Sequence, residues 1–303
     1  MILIIGSINM DLVLRTPRMP LPGETLAGAG FMTIPGGKGA NQAVACARLS
    51  VAGTPVAMVA CLGDDAFGRQ LRQSLRDNGV DDGGIRDIAG QSTGIASILV
   101  DDLAQNSIVL AAGANGCVTP EQVEQARPLI EAASIVLLQL EIPMAAVVRA
   151  VELAHALGKT VVLNPAPAAA LPDGLLEKID YLVLNEIEAA MLAGQNPSVV
   201  ALDIAALAER LRGLGARNVV VTLGQHGVYG DFAKGGQGHV PARAVQAVDT
   251  TAAGDTFIGG FIGALAKGSD EFDAIAWGQA AAAISVTRVG AQTSIPSRDE
   301  IRL

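Results

Sequence analysis

The most chemically informative stretch of the chain is residues 248–257, where an acid follows a turn of small residues. Phe257, Phe261 and Leu265 then recur at helical spacing, so Asp255 lies in or beside the first turn of a predicted helix. Backbone amides at that position are unpaired donors at the positive end of a helix dipole, and phosphate is the anion most often held there. The predicted donors belong to Ala252, Ala253, Gly254 and Asp255. An acid is also a favoured N-cap, so this stretch alone leaves a structural role open.

A second polar stretch, residues 35–43, combines three glycines with Lys38 and Asn41 beside a predicted helix start. Small residues let a ligand approach the backbone, and the two side chains supply donors. The stretch is not a Walker A loop, because Gly39 follows the lysine and Met32 occupies the position of the first glycine. No G-x-G-x-x-G motif follows a strand either, which argues against a dinucleotide oxidoreductase.

Composition bounds the class of protein. With 303 residues and 50% hydrophobic content, the chain can bury a large core. A net charge of -9 and a pI near 4.8 argue against nucleic acid or an anionic membrane as partner. The N-terminus resembles a buried strand rather than a signal peptide, and no run approaches the roughly 18 apolar residues of a membrane helix. Three cysteines without C-x-x-C spacing indicate reduced thiols and a cytoplasmic location.

Strand and helix patterns alternate along most of the chain, which predicts an α/β fold with a central, mostly parallel sheet covered by helices on both faces. Ligands bind at the carboxyl ends of such strands, and polar residues follow six predicted strands: Asn9, Glu141, Asn164, Asn185, Thr222 and Asp249. The predicted strands are 2–5, 56–60, 134–140, 160–163, 181–184 and 219–222, with a further extended segment at Asp249, and the predicted helices are 65–78, 143–157, 186–193 and 204–214.

Two further segments, about 11–35 and 93–111, are predicted to form a small antiparallel β-lid inserted in a single domain of residues 1–303. Their extended pieces are 12–15, 25–28, 31–34, 93–100 and 107–110. Val, Leu and Ile alternate along the lid strands, and an isolated small sheet is marginally stable. We therefore predict a homodimer joined through the lids.

Six short motifs resemble, in order and over essentially the whole chain, those of the ribokinase family within the phosphofructokinase-B group of carbohydrate kinases. They are Gly6-Ser7-Ile8-Asn9 with Asp11, Gly36-Gly37-Lys38-Gly39-Ala40-Asn41, Asn164-Pro165-Ala166-Pro167, Asn185-Glu186-Ile187-Glu188, Thr222-Leu223-Gly224, and Asp249-Thr250 with Ala252-Ala253-Gly254-Asp255. The resemblance implies the ribokinase-like fold and ATP-dependent phosphorylation of the 5-hydroxyl of D-ribose to D-ribose 5-phosphate, with Mg²⁺ required and K⁺ as activator. It also implies a homodimer.

The resemblance assigns roles to individual residues. Asp255 would accept the proton of the attacking hydroxyl, while the amides of residues 252–255 would hold the transferring phosphoryl group. The sugar would be bound by Asn9, Asp11, Gly37, Lys38, Gly39, Ala40, Asn41, Glu141 and Asp255. The nucleotide would be bound by Asn185, Thr222, Leu223, Gly224, Gln225, His226, Gly227, Gly254, Asp255 and Gln279.

The resemblance also implies two metal ions. Glu188 would position Mg²⁺ through water, since that ion keeps several waters. A monovalent cation would be bound, largely through main-chain carbonyls, at Asp249, Thr251, Ser285, Arg288, Gly290 and Ser294. Two nucleotide positions depart from the family pattern, because Gln225-His226 stands where Ser and a basic residue are usual and Gln279 where Asn or His is usual.

Other functions remain open from the sequence. A kinase of the same build could act on deoxyribose, a ketohexose or a nucleoside, although an aromatic content of 3% offers few rings to stack on a base. A sugar-binding sensor without catalysis would not need the pair Gly254-Asp255. A dehydrogenase would bind NADH.

Overall fold

The computed structural model describes residues 1–103, 105–197 and 202–302, and two sheets organise them. The strands are β1 (Ile2–Ile5), β2 (Asn9–Arg15), β3 (Gly30–Gly36), β4 (Val56–Gly63), β5 (Val80–Ile88), β6 (Gly94–Val100), β7 (Asn106–Ala111), β8 (Ile135–Leu138), β9 (Thr160–Leu163), β10 (Tyr181–Asn185), β11 (Asn218–Thr222), β12 (Val228–Phe232) and β13 (Gly236–Val240). The helices are α1 (Lys38–Leu49), α2 (Ala66–Asp77), α3 (Pro120–Gln125), α4 (Arg127–Ala132), α5 (Met144–Ala156), α6 (Glu186–Leu192), α7 (Ile204–Gly213), α8 (Ala253–Lys267) and α9 (Glu271–Ser285).

The larger sheet has nine strands in the order β13-β12-β11-β10-β9-β8-β1-β4-β5. All its pairs are parallel except the last two at one edge, β11 with β12 and β12 with β13. The central strands are continuous apolar runs because both faces are covered, and all eight residues of β4 are buried. This confirms the predicted mostly parallel sheet. Strands β5, β12 and β13 went unpredicted, since their sequences mix glycines with charged and polar residues.

A separate apolar core lies on each face of this sheet. On one face, alternate strand residues such as Ile2 and Ile4 pack against α1, α2, α8 and α9. On the other face, Leu3 and Ile5 pack against α3 to α7. The alternation follows from the pleat, which directs successive side chains to opposite faces. The predicted helices agree within two residues, and side chains cap several of them, as Asp65 does by accepting from Gly68 N–H.

The smaller sheet has four strands in the order β3-β2-β6-β7 and corresponds to the predicted lid. Its outer pairs are antiparallel, whereas the central pair β2 and β6 is parallel. The predicted extended piece 25–28 forms no strand, because pairing with Arg15 begins only at Ala29 N–H. Position 104, inside the predicted segment 93–111, lies outside the described residues.

Within the described ranges, no helix combines the length and the apolar character needed to cross a membrane. Of the three cysteines, Cys46 and Cys61 are buried, Cys117 is partly buried, and all three are free thiols.

Candidate active site

Asp255 is the third residue of α8 and is buried, with 8% of its surface exposed. The preceding Ala252 takes a left-handed conformation with φ 57°, which turns the chain into the helix. One predicted amide donor is already used, because the turn closes with a hydrogen bond of 3.2 Å from Ala253 N–H to the Thr250 carbonyl. The N–H groups of Gly254 and Asp255 remain first-turn donors for a ligand.

Two adjoining cavities open at the N-terminus of α8. The inner cavity, about 430 Å³, is lined by polar residues that include Lys38, Asn164, Asn185 and Glu188. The outer cavity, about 720 Å³, is mainly apolar and is lined by residues of the 224–228 and 242–247 segments and by α9. Both linings contain Thr222, Gly224, Thr250, Ala253 and Gly254. A ligand with a polar and an apolar part can therefore occupy both cavities across the helix end.

On the side of Asp255 that faces β2, several acidic side chains surround a single cation, the ammonium group of Lys38. Burial, and after it the charges of Glu141 and Asp255, raise the pKa of Asp11 to about 7. Burial would lower the pKa of Lys38, but the charges of Asp255, Glu141 and Glu188 outweigh it and the net shift is upward. Lys38 is therefore firmly cationic. Acceptors grouped around a single ammonium suit a neutral polyol better than an anion.

Two hydrogen bonds within the protein hold the Glu141 side chain at the start of α1. Its Oε2 accepts from Ser7 Oγ at 2.6 Å and from the backbone N–H of Lys38 at 3.0 Å. Of the predicted sugar ligands, Lys38 and Asp255 line the inner cavity, while Asp11 is coupled electrostatically to both Glu141 and Asp255. The structure thus brings together residues that are more than 240 positions apart in the chain.

Two amides from α1 hold the carboxylate of Asp255. Asn41 Nδ2 donates to Oδ2 at 3.0 Å, and Gln42 Nε2 donates to Oδ1 at 2.8 Å. Asn41 was predicted as a site residue but Gln42 was missed. The available signal was a single amide on an otherwise apolar helix face, which continues through Ala45, Cys46 and Leu49.

Asn9 is positioned by a residue that the sequence analysis also missed. Asn115 donates from Nδ2 to Asn9 Oδ1 at 2.7 Å and to the Ile8 carbonyl at 3.1 Å, and its Oδ1 accepts from Ile8 N–H. Asn9 follows the end of β1 after a connection of three residues, and it is also the first residue of β2. The small residues around Asn115, Gly113-Ala114 and Gly116, were the only signal in the sequence.

Asn185 and Glu188 form a capping box at the start of α6. Asn185 Oδ1 accepts from Glu188 N–H at 2.8 Å, and Glu188 Oε2 accepts from Asn185 N–H at 2.9 Å. Both residues line the inner cavity. Burial is the largest effect on Glu188, and despite the opposing bond from Asn185 and the charge of Lys38 it raises the pKa of that acid.

The predicted nucleotide residues lie mostly around the outer cavity. Its lining contains Thr222, Gly224, Gln225, His226, Gly227, Gly254 and Gln279, but not Leu223. Gln279 donates from Nε2 to the Val240 carbonyl at 3.0 Å. Trp277, on the same helix, does not line this cavity, and its Nε1 donates to the Leu49 carbonyl.

The predicted monovalent-cation residues are only partly brought together. Asp249 accepts from the N–H and hydroxyl of Thr251 and from Gly290 N–H, and the bond from Thr251 is among those that lower its pKa against the effect of burial. Contrary to prediction, Asp249 follows no strand, because residues 241–252 are irregular. The hydroxyls of Ser285 and Ser294 donate to carbonyls within their own turns, and Arg288 pairs with Glu300. In the described ranges no three acids, histidines or cysteines cluster as a metal site.

Comparison with known proteins gives a consistent result. A family model described as pfkB family carbohydrate kinase matches residues 1–298. The chain is 45% identical to the ribokinase of Schizosaccharomyces pombe, over 99% of this chain and 96% of that one. It is 37% identical to the deoxyribokinase of Salmonella typhi, with the same coverage of both chains. The structure of Arabidopsis thaliana ribokinase complexed with ribose and ATP superimposes with a TM-score of 0.91 at 32% identity, covering 98% of this chain and 96% of that one.

Proposed function

The chain belongs to the pfkB family of carbohydrate kinases, and from that premise we propose that it transfers the γ-phosphoryl group of ATP to the 5-hydroxyl of D-ribose. The family resemblance drawn from its six motifs is confirmed. The products are D-ribose 5-phosphate and ADP. One observation carries the proposal: a carboxylate held by two amides lies in the first turn of α8, where a polar and an apolar cavity meet.

The proposed reaction is a single displacement. Asp255 accepts the proton from the sugar hydroxyl as the oxygen attacks the γ-phosphorus, and the bond to the β–γ bridging oxygen breaks to release ADP. The transition state is loose, so positioning contributes more than the strength of the base. The N–H groups of Gly254 and Asp255 stabilise the charge on the transferring phosphoryl oxygens.

Binding of the two substrates follows the polarity of the site. Ribose lies on the side of Asn9, Asp11, Lys38, Asn41 and Glu141, and Gly37, Gly39 and Ala40 permit its close approach. ATP extends from the helix end into the outer cavity. The apolar lining of that cavity faces the adenine ring, and Gln279 borders the cavity. The similarity to a ribokinase complexed with ribose and ATP supports this arrangement.

Two metal ions complete the proposal. Glu188 would hold Mg²⁺ through water, because it lines the inner cavity and only Oε2 is used by its capping bond, and the ion would neutralise phosphate charge on bound ATP. A monovalent cation, K⁺, is proposed at Asp249, Thr251, Ser285, Arg288, Gly290 and Ser294, and hydrogen bonds already join Asp249 to Thr251 and Gly290. Asp249 and Thr251 lead directly into α8, so a cation held there would stabilise the position of the anion-binding helix end.

The quaternary and cellular context are further proposals. Residues 1–303 form one domain with the smaller sheet as its lid, and two copies associate through the lids. Supporting this, both edge strands of the smaller sheet expose apolar side chains: β7 exposes Ile108, Val109 and Leu110, and β3 exposes Phe31, which is 60% exposed. Three free thiols support a cytoplasmic location.

A coupled assay of ADP release with ribose, with and without K⁺, tests the function. Asp255→Asn removes the base while keeping the shape, so we expect kcat to fall about 1,000-fold and the Kd of ribose to change little.

A panel of ribose, deoxyribose, fructose and adenosine tests the substrate, because one relative is named a deoxyribokinase. A higher kcat/KM for another member of the panel would overturn the assignment of ribose as the substrate. Ribose binding without ADP release would indicate a sensor.

A further inference from the structure

We propose that Gln42 is a positioning residue for Asp255, and that Gln139 in turn sets the orientation of Gln42. The inference rests on the proposed function in one respect, that Asp255 is the base. Neither glutamine belongs to the predicted site, and both are fully buried. A buried amide surrounded by defined partners acts on catalysis through the group it orients.

Gln42 joins Asp255 to the central sheet. Its Nε2 donates both to Asp255 Oδ1 at 2.8 Å and to Asn164 Oδ1 at 3.0 Å. Asn164 directly follows β9, and its own Nδ2 donates to the Val183 carbonyl in β10 at 2.9 Å. Because that bond commits the nitrogen of Asn164, its oxygen must face Gln42. The base is therefore tied to the ends of two strands as well as to its own helix.

Gln139 completes the chain of amides by contacting the oxygen of Gln42, while the nitrogen of Gln42 faces Asp255. It follows β8, and its Nε2 donates to Gln42 Oε1 at 2.5 Å. An ionised carboxylate only accepts, so Gln42 must turn its nitrogen toward Asp255 and its oxygen toward Gln139. Room for Gln139 depends on Gly6, where a Cβ would lie 2.1 Å from Gln139 Oε1. The orientation of Gln42 is thus determined at both ends.

The chemical consequence is that the carboxylate is fixed without being neutralised. Asn41 and Gln42 are uncharged donors, one to each oxygen, and each oxygen keeps a lone pair for the sugar hydroxyl. A lysine or arginine in the place of Gln42 would hold the acid more strongly but would weaken it as a proton acceptor. Asp255 lies in the first turn of its helix, so a link to the sheet restrains the end of α8 that reacts.

Gln42→Glu tests the proposal because it keeps shape and the bond from Gln139 but sets a carboxylate against Asp255. We expect kcat to fall about 100-fold at pH 7. The acidic limb of the kcat/KM profile should move up by about one pH unit or more, since like charges hold a proton. The Kd of ribose, measured by calorimetry, should stay within about threefold, because Gln42 does not face the sugar.

Gln122→Glu is the matched control. Gln122 is equally buried, at 3% exposure, but it lies on α3 on the other face of the sheet, where Nε2 donates to the Ala60 carbonyl. This variant carries the same cost of burying a carboxylate, so we expect reduced stability with unchanged kcat and pH profile.

If Gln42→Glu does not fold, Gln42→Met replaces it, with a loss of kcat expected without the pH shift. Gln139→Met should lower kcat about tenfold with little change in the Kd of ribose.

The possible results separate the two proposals. Absence of ribose turnover by the wild type would overturn the substrate but not the role of Gln42, which is then judged on the sugar of the panel that is phosphorylated. If no sugar of the panel is phosphorylated, both proposals are overturned. A Gln42→Glu variant with wild-type kcat and pH profile overturns the positioning role alone, as does a control variant with the same kinetic changes.

Discussion

Asn41 Nδ2 lies 3.0 Å from Asp255 Oδ2, although the two residues are 214 positions apart in the chain. The contact depends on close packing between α1 and α8. A Cβ at Gly259 would lie 2.2 Å from the Cβ of Ala45, so only glycine allows the two helices this separation. The carboxylate that we propose as the base and the amides that hold it are therefore brought together by a helix contact one turn further along both helices.

Gly259→Ala tests that dependence. The added methyl overlaps Ala45, and overpacking of this kind typically costs about 1–3 kcal/mol of unfolding free energy. If α1 and α8 move apart, the Asn41 contact weakens and kcat falls as well. Urea unfolding and steady-state kinetics provide the two measurements. The control is Gly213→Ala at the end of α7, where a Cβ meets nothing within 4 Å and stability should not fall. Equal stability of the two variants would contradict this account.

Gly254→Ala separates ligand binding from folding. A Cβ at Gly254 meets no protein atom within 4 Å, so the thermal unfolding temperature should stay near that of the wild type. The same methyl projects into the space lined by both cavities, where the phosphoryl group is expected. We predict a loss of kcat/KM for ATP of about tenfold to 100-fold. Unchanged nucleotide kinetics in a folded variant would show that phosphate does not approach this helix end.

Asp11 predicts a pH dependence of ribose affinity. Its pKa is raised to about 7, so the carboxyl is largely protonated below that pH and ionised above it. An ionised acceptor binds sugar hydroxyls more strongly, so the KM of ribose should fall about tenfold as pH rises from 6 to 8. Asp11→Asn should have a higher KM and little pH dependence over the same range. A KM for the wild type that rises with pH would contradict the prediction.

The same carboxyl affects stability with a definite sign. Because the folded pKa of Asp11 lies above the ordinary value of 3.8, the folded state binds more protons than the unfolded state between these values. Its contribution to stability is therefore present at low pH and is lost as pH rises toward 7. Asp11→Asn should gain stability relative to the wild type more at pH 8 than at pH 5. Urea titrations of the ligand-free protein at the two pH values measure the difference.

Val109→Lys tests association through the lids. Val109 is 68% exposed on β7, so a lysine should not disturb the fold of one copy, but a charge buried between two lids is costly. Light scattering at micromolar concentration should show a dimer for the wild type and a monomer for the variant. Leu214→Lys, which replaces a leucine 50% exposed at the end of α7, is expected to remain dimeric. A monomeric wild type would refute the interface.

Local sequence patterns were sufficient for most elements of the α/β fold. The buried strands β1, β8 and β9 are short apolar runs, and helices such as α2 and α7 begin at capping acids, so periodicity and caps identified them. The position of Asp255 near a helix start followed from the same local signals. Such features depend on neighbours a few residues away, which is why one sequence determines them.

Tertiary structure alone decided which side chains meet. Gln42 and Asp255, Asn115 and Asn9, and Gln139 and Gln42 are pairs separated by 97 to 213 positions, and no local period encodes them. The parallel pairing of β2 with β6 and the absence of a strand at 25–28 likewise depend on long-range register. The sequence by itself determined the helix end and its acid, whereas packing of α1 against α8 and the strand ends determined how that acid is held, because contact between distant segments depends on the whole core.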